Sequence, residues 1–398
     1  MRITEQIAAS PEEQARFEQY LYSGLYDIHY ARSLARNVLD FLDKYYFRSN
    51  FIGFDTLPER NNPAAPLIYA ANHSGMAFPW DAIMMTAGIF KIGSFDMQKA
   101  VRALTAPALS NSLWMEPFMI EEFWKRAGAV DATLPNFDIM MRYKYSNVLI
   151  YPEGVPGIGK GFDRRYQLQR FSTSFIRMAI KYQTDIVPIA VVNGEFINPY
   201  SYKSDEINKL ANKLGIPFVP IGPTTSLVPF QAWSFYFGLP ARLTYVMGKR
   251  IKVYEMTDKP LERLKKKELH EIRNVVQFQM QAELTAAEKT YGQDPYQLEE
   301  LGDLWRDNLD KILYIIPSGW PLLFLEHERR FKKEKDFRME YGNDSFFGAL
   351  FQNPMALSYV LPVIGWPMFV DSGDSELDDM EQELNDMEQE LNDLENDS

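Results

Sequence analysis

The chain has 398 residues, of which 46% are hydrophobic and 24% charged, a composition that excludes a disordered, collagen-like or fibrous protein. It has no cysteine and four histidines, which excludes disulfides, thiol nucleophiles, iron–sulfur clusters and thiolate zinc sites, and we expect no metal site. The net charge of −12 is concentrated in the tail from Asp371 to Ser398, so the rest is nearly neutral and no nucleic-acid partner is expected.

Residues 1–49 are predicted to form an N-terminal helical segment. Pro11 and Glu12 suit a first helical turn, and Gly24 is expected to divide the helix. Its second half is expected either to pack on the main domain or to face a membrane. The first residues lack the apolar core and cleavage site of an export signal, so we expect a cytoplasmic protein.

Residues 50–292 alternate apolar runs typical of strands with amphipathic runs typical of helices. This pattern predicts an α/β domain with a central sheet flanked by helices. Pro188 is expected to require a bulge or an edge position in its strand, and Leu261–Thr290 is predicted to be the helix that closes the domain. The predicted strands are Leu67–Ala71, Val148–Tyr151, Ile186–Val192 and Leu243–Met247.

Residues 293–370 are predicted to form an apolar C-terminal extension that contacts the inner face of a membrane. Its two apolar segments, Ile312–Leu325 and Phe346–Val370, share a Gly-Trp-Pro motif, and their prolines argue against a spanning helix. Arg329–Arg338, between them, holds six basic residues and suits an anionic bilayer. The alternative is a solvated charged helix beside buried loops. Residues 371–398 form an acidic low-complexity tail that we expect to be disordered.

The run from Leu67 to Asp81 holds the first candidate site. An apolar strand delivers Asn72 and His73 to a loop, and Asp81 follows where a helix begins. A carboxylate that accepts from one imidazole nitrogen fixes the tautomer and leaves the other nitrogen to take a proton. His73 and Asp81 are therefore a candidate general base and its partner, and the alternative is a capping or core pair.

The run from Val148 to Lys160 holds the second candidate site. An apolar strand leads to Glu153 and a glycine-rich loop, and the basic residues Lys160, Arg164 and Arg165 follow. Glycines let backbone N–H groups approach an anionic ligand closely, which favours a phosphate-binding loop. The alternative is a tight turn followed by a basic helix face.

Taken in order, three blocks resemble the lysophospholipid acyltransferase superfamily, the glycerolipid acyltransferases. They are Asn72-His73 with Asp81, then Pro152-Glu153-Gly154, then the strand Val187–Val191. The resemblance covers about residues 66–251. The Asn-His-Ser-Gly sequence and the basic run that begins at Lys160 look most like the branch of monoacylglycerol and diacylglycerol acyltransferase-like proteins.

Two features depart from the common pattern of that superfamily. Seven residues separate His73 from Asp81, where four are usual, so the loop must fold back for the two side chains to meet. Val155-Pro156 stands where phosphate-binding members carry Thr-Arg. Either the basic residues that follow take over the contact with a phosphate, or the acceptor carries no phosphate at that place.

The resemblance implies an O-acyltransferase of phospholipid or glycerolipid biosynthesis. It would move a fatty acyl group from an acyl-CoA or acyl carrier protein thioester to a hydroxyl of a lipid acceptor, with no cofactor beyond that co-substrate. His73 would be the general base and Asp81 its assistant. Substrate-binding roles are implied for Asn72, Ser74, Gly75, Glu153, Gly154, Lys160, Arg164 and Arg165.

Two other functions stay open at this point. One is a catalytically inactive lipid-binding or scaffold protein on the same fold, because the lengthened loop separates His73 from Asp81. The other is a lipid or thioester hydrolase in which His73 activates water.

Overall fold

A seven-stranded sheet lies at the centre of the computed structural model, which describes residues 11–73, 78–110, 113–204 and 220–363. The strands are β1 (Asn50–Ile52), β2 (Ile68–Ala71), β3 (Val101–Thr105), β4 (Val130–Asp131), β5 (Asn147–Ile150), β6 (Ile186–Val192), β7 (Tyr202–Lys203), β8 (Pro220–Ile221) and β9 (Thr244–Met247). The order in the sheet is β1-β9-β6-β2-β5-β3-β4, and β7 and β8 form a separate pair. Strands β6, β2, β5, β3 and β4 are parallel, whereas β9 runs antiparallel to β6. The predicted α/β fold is confirmed.

Helices cover both faces of the sheet. They are α1 (Pro11–Gln19), α2 (Ile28–Leu34), α3 (Trp80–Ile92), α4 (Pro107–Ser110), α5 (Phe123–Arg126), α6 (Leu134–Met140), α7 (Val155–Ile158), α8 (Ser174–Tyr182), α9 (Lys266–Tyr291), α10 (Leu298–Arg306), α11 (Ile312–Ile315), α12 (Trp320–Lys333), α13 (Asn343–Gln352) and α14 (Ala356–Val360). Side chains of α2, α3 and α11 to α14 share one apolar core, and those of α6, α8 and α9 share another. Alternate residues of β2 enter the two cores, Tyr69 the first and Ile68 the second, as the two-residue period of a strand requires.

The four predicted strands are all present, each to within one residue of its predicted ends. The apolar runs of β2, β5 and β6 are buried on both faces, which is typical of inner strands of a parallel sheet. The predicted closing helix is α9, which begins at Lys266. The division of the chain after residues 49, 292 and 370 stays a prediction.

Pro188 lies in an inner strand, with a bulge beside it. Ile189 of β6 pairs with Met247, whereas Ile186 pairs with Ile251, so the chain after β9 has one extra residue between these pairs. Such an extra residue is a β-bulge, and it accommodates a proline nitrogen that has no hydrogen for the ladder. The bulge was predicted correctly, and the edge position was not needed.

The N-terminal helix packs on the sheet. After α2 it continues as a π-helical turn (Ala35–Leu39), a short α-helical turn (Asp40–Leu42) and a second π-helical turn (Asp43–Phe47). Phe41, Leu42 and Phe47 are buried in the first core. Of the two alternatives for this helix, packing on the main domain or facing a membrane, the structure supports packing on the main domain.

The first apolar C-terminal segment is also core. Trp320 is 1% exposed, its ring centroid lies 5.1 Å from that of Trp80, and its indole N–H donates to the carbonyl of Ile315 at 3.1 Å. The prediction that Ile312–Leu325 contacts a membrane is therefore wrong, because these residues close one face of the sheet. Trp366, in the second segment, lies outside the described residues, as does the acidic tail.

The basic run after this segment is largely paired. Arg329 and Arg330 both form ion pairs with the buried carboxylate of Glu326, at 2.7 and 2.6 Å, and Lys332 pairs with Glu328 at 3.4 Å. These pairs support the alternative of a charged helix beside buried chain. Among the helices that the structure describes, none is long and apolar enough to cross a bilayer.

Candidate active site

The candidate residues gather at one edge of the sheet. Asn72 and His73 follow β2, Tyr151 and Glu153 follow β5, and Glu195 follows β6. These three strands are parallel neighbours, with β2 in the middle. Their carboxyl ends therefore meet, which is where ligands bind in open α/β sheets.

Asn72 extends the pairing of β2 with β6 through its side chain. The Asn72 amide donates to the carbonyl of Val191 at 3.1 Å and accepts from the N–H of Val191 at 2.7 Å. Asn72 is buried, and its amide is engaged on both atoms. In this structure it anchors the start of the His73 loop. A substrate-binding role for it stays a prediction.

The ring of His73 is stacked on the ring of Tyr151. Their centroids are 4.0 Å apart and their planes are inclined by 17°. The Nδ1 atom of His73 is buried and has no hydrogen-bond partner among the described residues. Burial is the main cause that lowers the pKa of His73 to about 3, and the positive charge of Lys160 is the second cause. The imidazole is therefore neutral at physiological pH, the form that a general base requires.

Asp81 lies in the first turn of α3 and is buried. Its backbone carbonyl accepts a hydrogen bond from the hydroxyl of Tyr245 at 2.7 Å. The pKa of Tyr151 is raised mainly by burial and next by the negative charge of Asp81. The Asp81 carboxylate therefore lies close enough to influence the tyrosine that stacks on His73. The Nδ1 atom of His73 has no hydrogen-bond partner within the described ranges, and the pairing of Asp81 with the imidazole stays a prediction.

Glu153 holds the backbone of His73. One carboxylate oxygen accepts from the N–H of His73 at 2.9 Å and the other from the N–H of Gln169 at 2.6 Å. Burial raises the pKa of Glu153, and the charge of Lys160 opposes that rise. The carboxylate therefore connects the loop after β5 to the candidate base on β2.

Two glycines make this contact sterically possible. Gly154 has φ +60° and ψ −153°, a backbone conformation that is essentially restricted to glycine. A Cβ atom added at Gly157 would lie 2.4 Å from Cβ of Glu153 and 3.2 Å from Cβ of His73. The loop can approach the base this closely only because Gly157 has no side chain.

The three predicted cations lie in different environments. Lys160 is buried, with its ammonium 3.4 Å from a carboxylate oxygen of Glu195 and 4.0 Å from one of Glu153. Arg164 and Arg165 are exposed, and the guanidinium of Arg165 lies over the ring of Phe162 at 4.9 Å. Lys160 is therefore linked to the candidate base by way of Glu153, which contacts both residues, whereas the two arginines lie at the surface.

Two residues of this site were not predicted from the sequence. Tyr151 was assigned only to the end of an apolar strand, and Glu195 was given no role. Their positions directly after β5 and close after β6 were the available signal, since parallel neighbouring strands bring such residues together. The predicted residues Ser74 and Gly75 lie outside the described residues. Within the described ranges, no group of three or more His, Asp or Glu side chains is arranged to hold a metal ion.

The part of this α/β protein that holds the candidate site is similar to a known enzyme family. Residues 50–192, which include His73, Asp81 and Glu153, match the model of the family described as Acyltransferase. This match supports the predicted superfamily. The branch of monoacylglycerol and diacylglycerol acyltransferase-like proteins stays a prediction.

Three curated relatives of the chain come from mycobacteria. An uncharacterized protein of Mycobacterium leprae is 28% identical over 227 residues, which cover 55% of this chain and 58% of that protein. Uncharacterized proteins of Mycobacterium bovis and Mycobacterium tuberculosis are each 29% identical over 223 residues, covering 54% of this chain and 58% of theirs. The match thus spans somewhat over half the length of these relatives.

Among solved structures, the chain is similar to the crystal structure of the 1-acyl-sn-glycerophosphate (LPA) acyltransferase PlsC from Thermotoga maritima. The sequence identity is 14% and the TM-score is 0.34. The similarity covers 63% of this chain and 81% of that chain.

Proposed function

We propose that this protein is an O-acyltransferase that moves a fatty acyl group from a CoA or carrier-protein thioester to a hydroxyl of a lipid acceptor. The observation that carries the proposal is the neutral imidazole of His73 at the carboxyl end of β2, held by Glu153 from β5. Both residues lie in the region that matches the Acyltransferase family. We place the protein among the glycerolipid acyltransferases.

In the proposed reaction, His73 takes the proton of the acceptor hydroxyl as the hydroxyl oxygen bonds to the thioester carbonyl carbon. The carbon–sulfur bond then breaks, and the leaving thiolate takes the proton back from the imidazolium. The ester forms without a covalent enzyme intermediate. Backbone N–H groups of the loops at this edge are candidates to stabilise the oxyanion.

A pKa of about 3 makes the free imidazole of His73 a weak base. A nearby negative charge favours the imidazolium and raises its pKa. The oxyanion that develops on the reacting carbonyl supplies such a charge during the reaction, and the carboxylate of Asp81 is proposed to supply another. This is the assisting role that we propose for Asp81.

The two exposed arginines that follow the glycine-rich loop are the proposed contacts for an anionic group of donor or acceptor. Arg164 and Arg165 are solvent-exposed, as a binding residue for a soluble or membrane-borne anion must be. Val155 and Pro156, which replace the usual Thr-Arg, are also exposed and begin α7. A phosphate would therefore be bound by the arginines rather than at the start of α7.

The second apolar C-terminal segment supports a proposed peripheral contact with the inner face of a membrane. Phe347 and Phe351 on α13 are 58% and 91% exposed, and Met355 and Val363 are also exposed. The backbone N–H of Val363 donates to the carbonyl of exposed Phe230 at 3.0 Å, which joins a second loop to this surface. We call these five residues the apolar surface. Phe347 and Phe351 are four residues apart and share one face of α13, and exposed apolar groups of this kind are typical of lipid or protein contacts.

One observation favours a second candidate function. The Nδ1 atom of His73 is buried and has no hydrogen-bond partner among the described residues. A partner at Nδ1 would fix the tautomer that leaves the other ring nitrogen to take a proton, and without one the imidazole is a poorer general base. An inactive lipid-binding or scaffold protein on this fold is therefore the alternative that the experiment must separate.

The experiment incubates the purified full chain with labelled acyl-CoA, or labelled acyl carrier protein, and a total lipid extract. New labelled lipid supports the proposed transferase and identifies the donor. Labelled free acid alone would indicate a hydrolase. Neither product, with retained binding of lipid vesicles, would indicate the lipid-binding alternative.

A further inference from the structure

Three ionisable side chains form a buried cluster behind the candidate base. The side chains of Lys160, Glu153 and Glu195 are 1%, 0% and 3% exposed. The Lys160 ammonium lies between the two carboxylates, 3.4 Å from Glu195 and 4.0 Å from Glu153. Charges are costly to bury unless they are paired, so the position of each group in this cluster depends on the other two.

The cluster ties together the loops at the edge of the sheet. Glu195, after β6, accepts a hydrogen bond from the backbone N–H of Tyr166 at 2.9 Å. Glu153, after β5, accepts one from the N–H of His73, after β2, at 2.9 Å. Lys160 also approaches the carbonyl of Gln167 at 3.4 Å. Through the lysine, a carboxylate on one side of β2 is linked to the carboxylate that holds the base.

We infer that Lys160 and Glu195 are positioning residues for His73, acting through Glu153. Lys160, fixed by Glu195, holds the Glu153 carboxylate where it accepts the amide hydrogen of His73. The inference rests on the proposed function, because it assigns these residues to the placement of the proposed base. It also replaces the expectation that Lys160 binds an anionic group of the substrate, since its ammonium is already enclosed by two carboxylates and a carbonyl.

The charges of the cluster provide a test that separates positioning from substrate binding. With one cation and two carboxylates, the cluster has a formal charge of −1. Lys160→Met leaves the two carboxylates facing each other, which raises the pKa of at least one and disturbs both. The double variant Lys160→Met/Glu195→Gln returns the formal charge to −1. A substrate contact, by contrast, would be lost equally in the single and the double variant.

The experiment measures kcat and KM for donor and acceptor in wild type, Lys160→Met, Glu195→Gln and the double variant. Lys252→Met, which breaks an exposed ion pair with Glu255, is the control and should change neither constant. We expect Lys160→Met to lower kcat about 10- to 100-fold with KM changed less than about twofold, because a misplaced base is a loss of orientation. The double variant should recover part of that loss. A raised KM with unchanged kcat, or no recovery in the double variant, would overturn the inference.

A second measurement does not depend on activity. Exchange of the His73 amide hydrogen, followed by NMR, should be faster in Lys160→Met than in wild type or Lys252→Met, because the acceptor Glu153 is no longer held. If Lys160→Met fails to fold, Glu195→Gln, which keeps the side-chain shape, should show a smaller change in the same direction. Unchanged protection of His73 in the folded variants would contradict the positioning role. An inactive wild type would instead refute the proposed function, and the exchange measurement would still decide this inference.

Discussion

The phenol ring of Tyr151 lies against the imidazole of His73, with centroids 4.0 Å apart. The Tyr151 hydroxyl is buried and has no hydrogen-bond partner among the described residues. Stacked aromatic rings hold each other's planes. The ring of Tyr151, more than its hydroxyl, therefore fixes the orientation of His73 in this structure.

Replacing Tyr151 should distinguish the ring from the hydroxyl. Tyr151→Leu removes the stacking surface and should lower kcat about tenfold or more, because the base loses its orientation. Tyr151→Phe keeps the ring, removes a buried hydroxyl that lacks a partner, and should raise the free energy of unfolding by about 1 kcal/mol. Tyr69→Phe, at another buried hydroxyl without a partner in the described residues, is the matched control. Equal losses of kcat in Tyr151→Phe and Tyr151→Leu would show instead that the hydroxyl contacts the reactants.

Gly157→Ala should displace the base and its acceptor together. The added methyl group would lie 2.4 Å from Cβ of Glu153, a distance that requires backbone movement. Because a shift of about 1 Å costs about 100-fold in rate, we expect a large loss of kcat. Gly302→Ala, on α10 with no atom near the added methyl group, should keep wild-type kcat and stabilise the helix. Wild-type kinetics in Gly157→Ala would show that this loop tolerates displacement.

The imidazole of His73 should not titrate between pH 8 and 5 in the folded protein. Its pKa is lowered to about 3, below the ordinary value of about 6.5, so the unfolded chain takes up the proton first as pH falls. This group therefore destabilises the fold progressively as the pH falls from about 6.5 toward 3. NMR of the histidine rings, assigned with His73→Gln, measures the titration, and the chain in denaturant supplies the reference. A His73 signal that titrates near pH 6.5 in the folded protein would contradict the lowered pKa of this ring.

Removing the exposed phenylalanines should weaken binding to vesicles. Phe347→Ser/Phe351→Ser changes two of the five residues of the apolar surface, and because both are exposed the fold should be kept. Burial of a Phe side chain contributes about 1.5–3 kcal/mol, so the partition coefficient should fall at least about tenfold. Phe278→Ser, at a 78% exposed Phe on α9, is the control and should bind as wild type. Sedimentation with anionic and neutral vesicles measures both, and equal binding by all three proteins would exclude this surface as the membrane contact.

Local sequence patterns predicted the strands of the sheet correctly, but not that the C-terminal segment Ile312–Leu325 packs against it. An inner strand such as β6 is a continuous apolar run, and such a run can be recognised from adjacent residues alone. Both ends of Ile186–Val192 were therefore predicted correctly. Trp320 was placed at a membrane because an apolar segment with Trp and Pro has the same composition whether lipid or protein covers it. Contacts with residues far away in the chain, such as Tyr46 and Trp80, identify it as core.

In the candidate site, too, the sequence indicated which residues are present but not which of them contact each other. His73 and Glu153 could be selected from their positions after predicted strands. The sequence could not show that Glu153 accepts from the amide of His73, or that Lys160 faces Glu195, because these contacts join loops of different strands. The sequence alone therefore favoured contact of Lys160 with a phosphate, which is common for a lysine beside a glycine-rich loop.

The rate of acyl transfer by His73→Gln, compared with wild type, tests the central claim most directly. The measurement follows labelled acyl groups from the thioester into lipid, with circular dichroism and unfolding curves to show that the variant is folded. The account predicts a loss of about 10²–10⁴-fold in rate with the fold retained, because His73 is the proposed general base. A folded His73→Gln protein that transfers acyl groups at nearly the wild-type rate would contradict it.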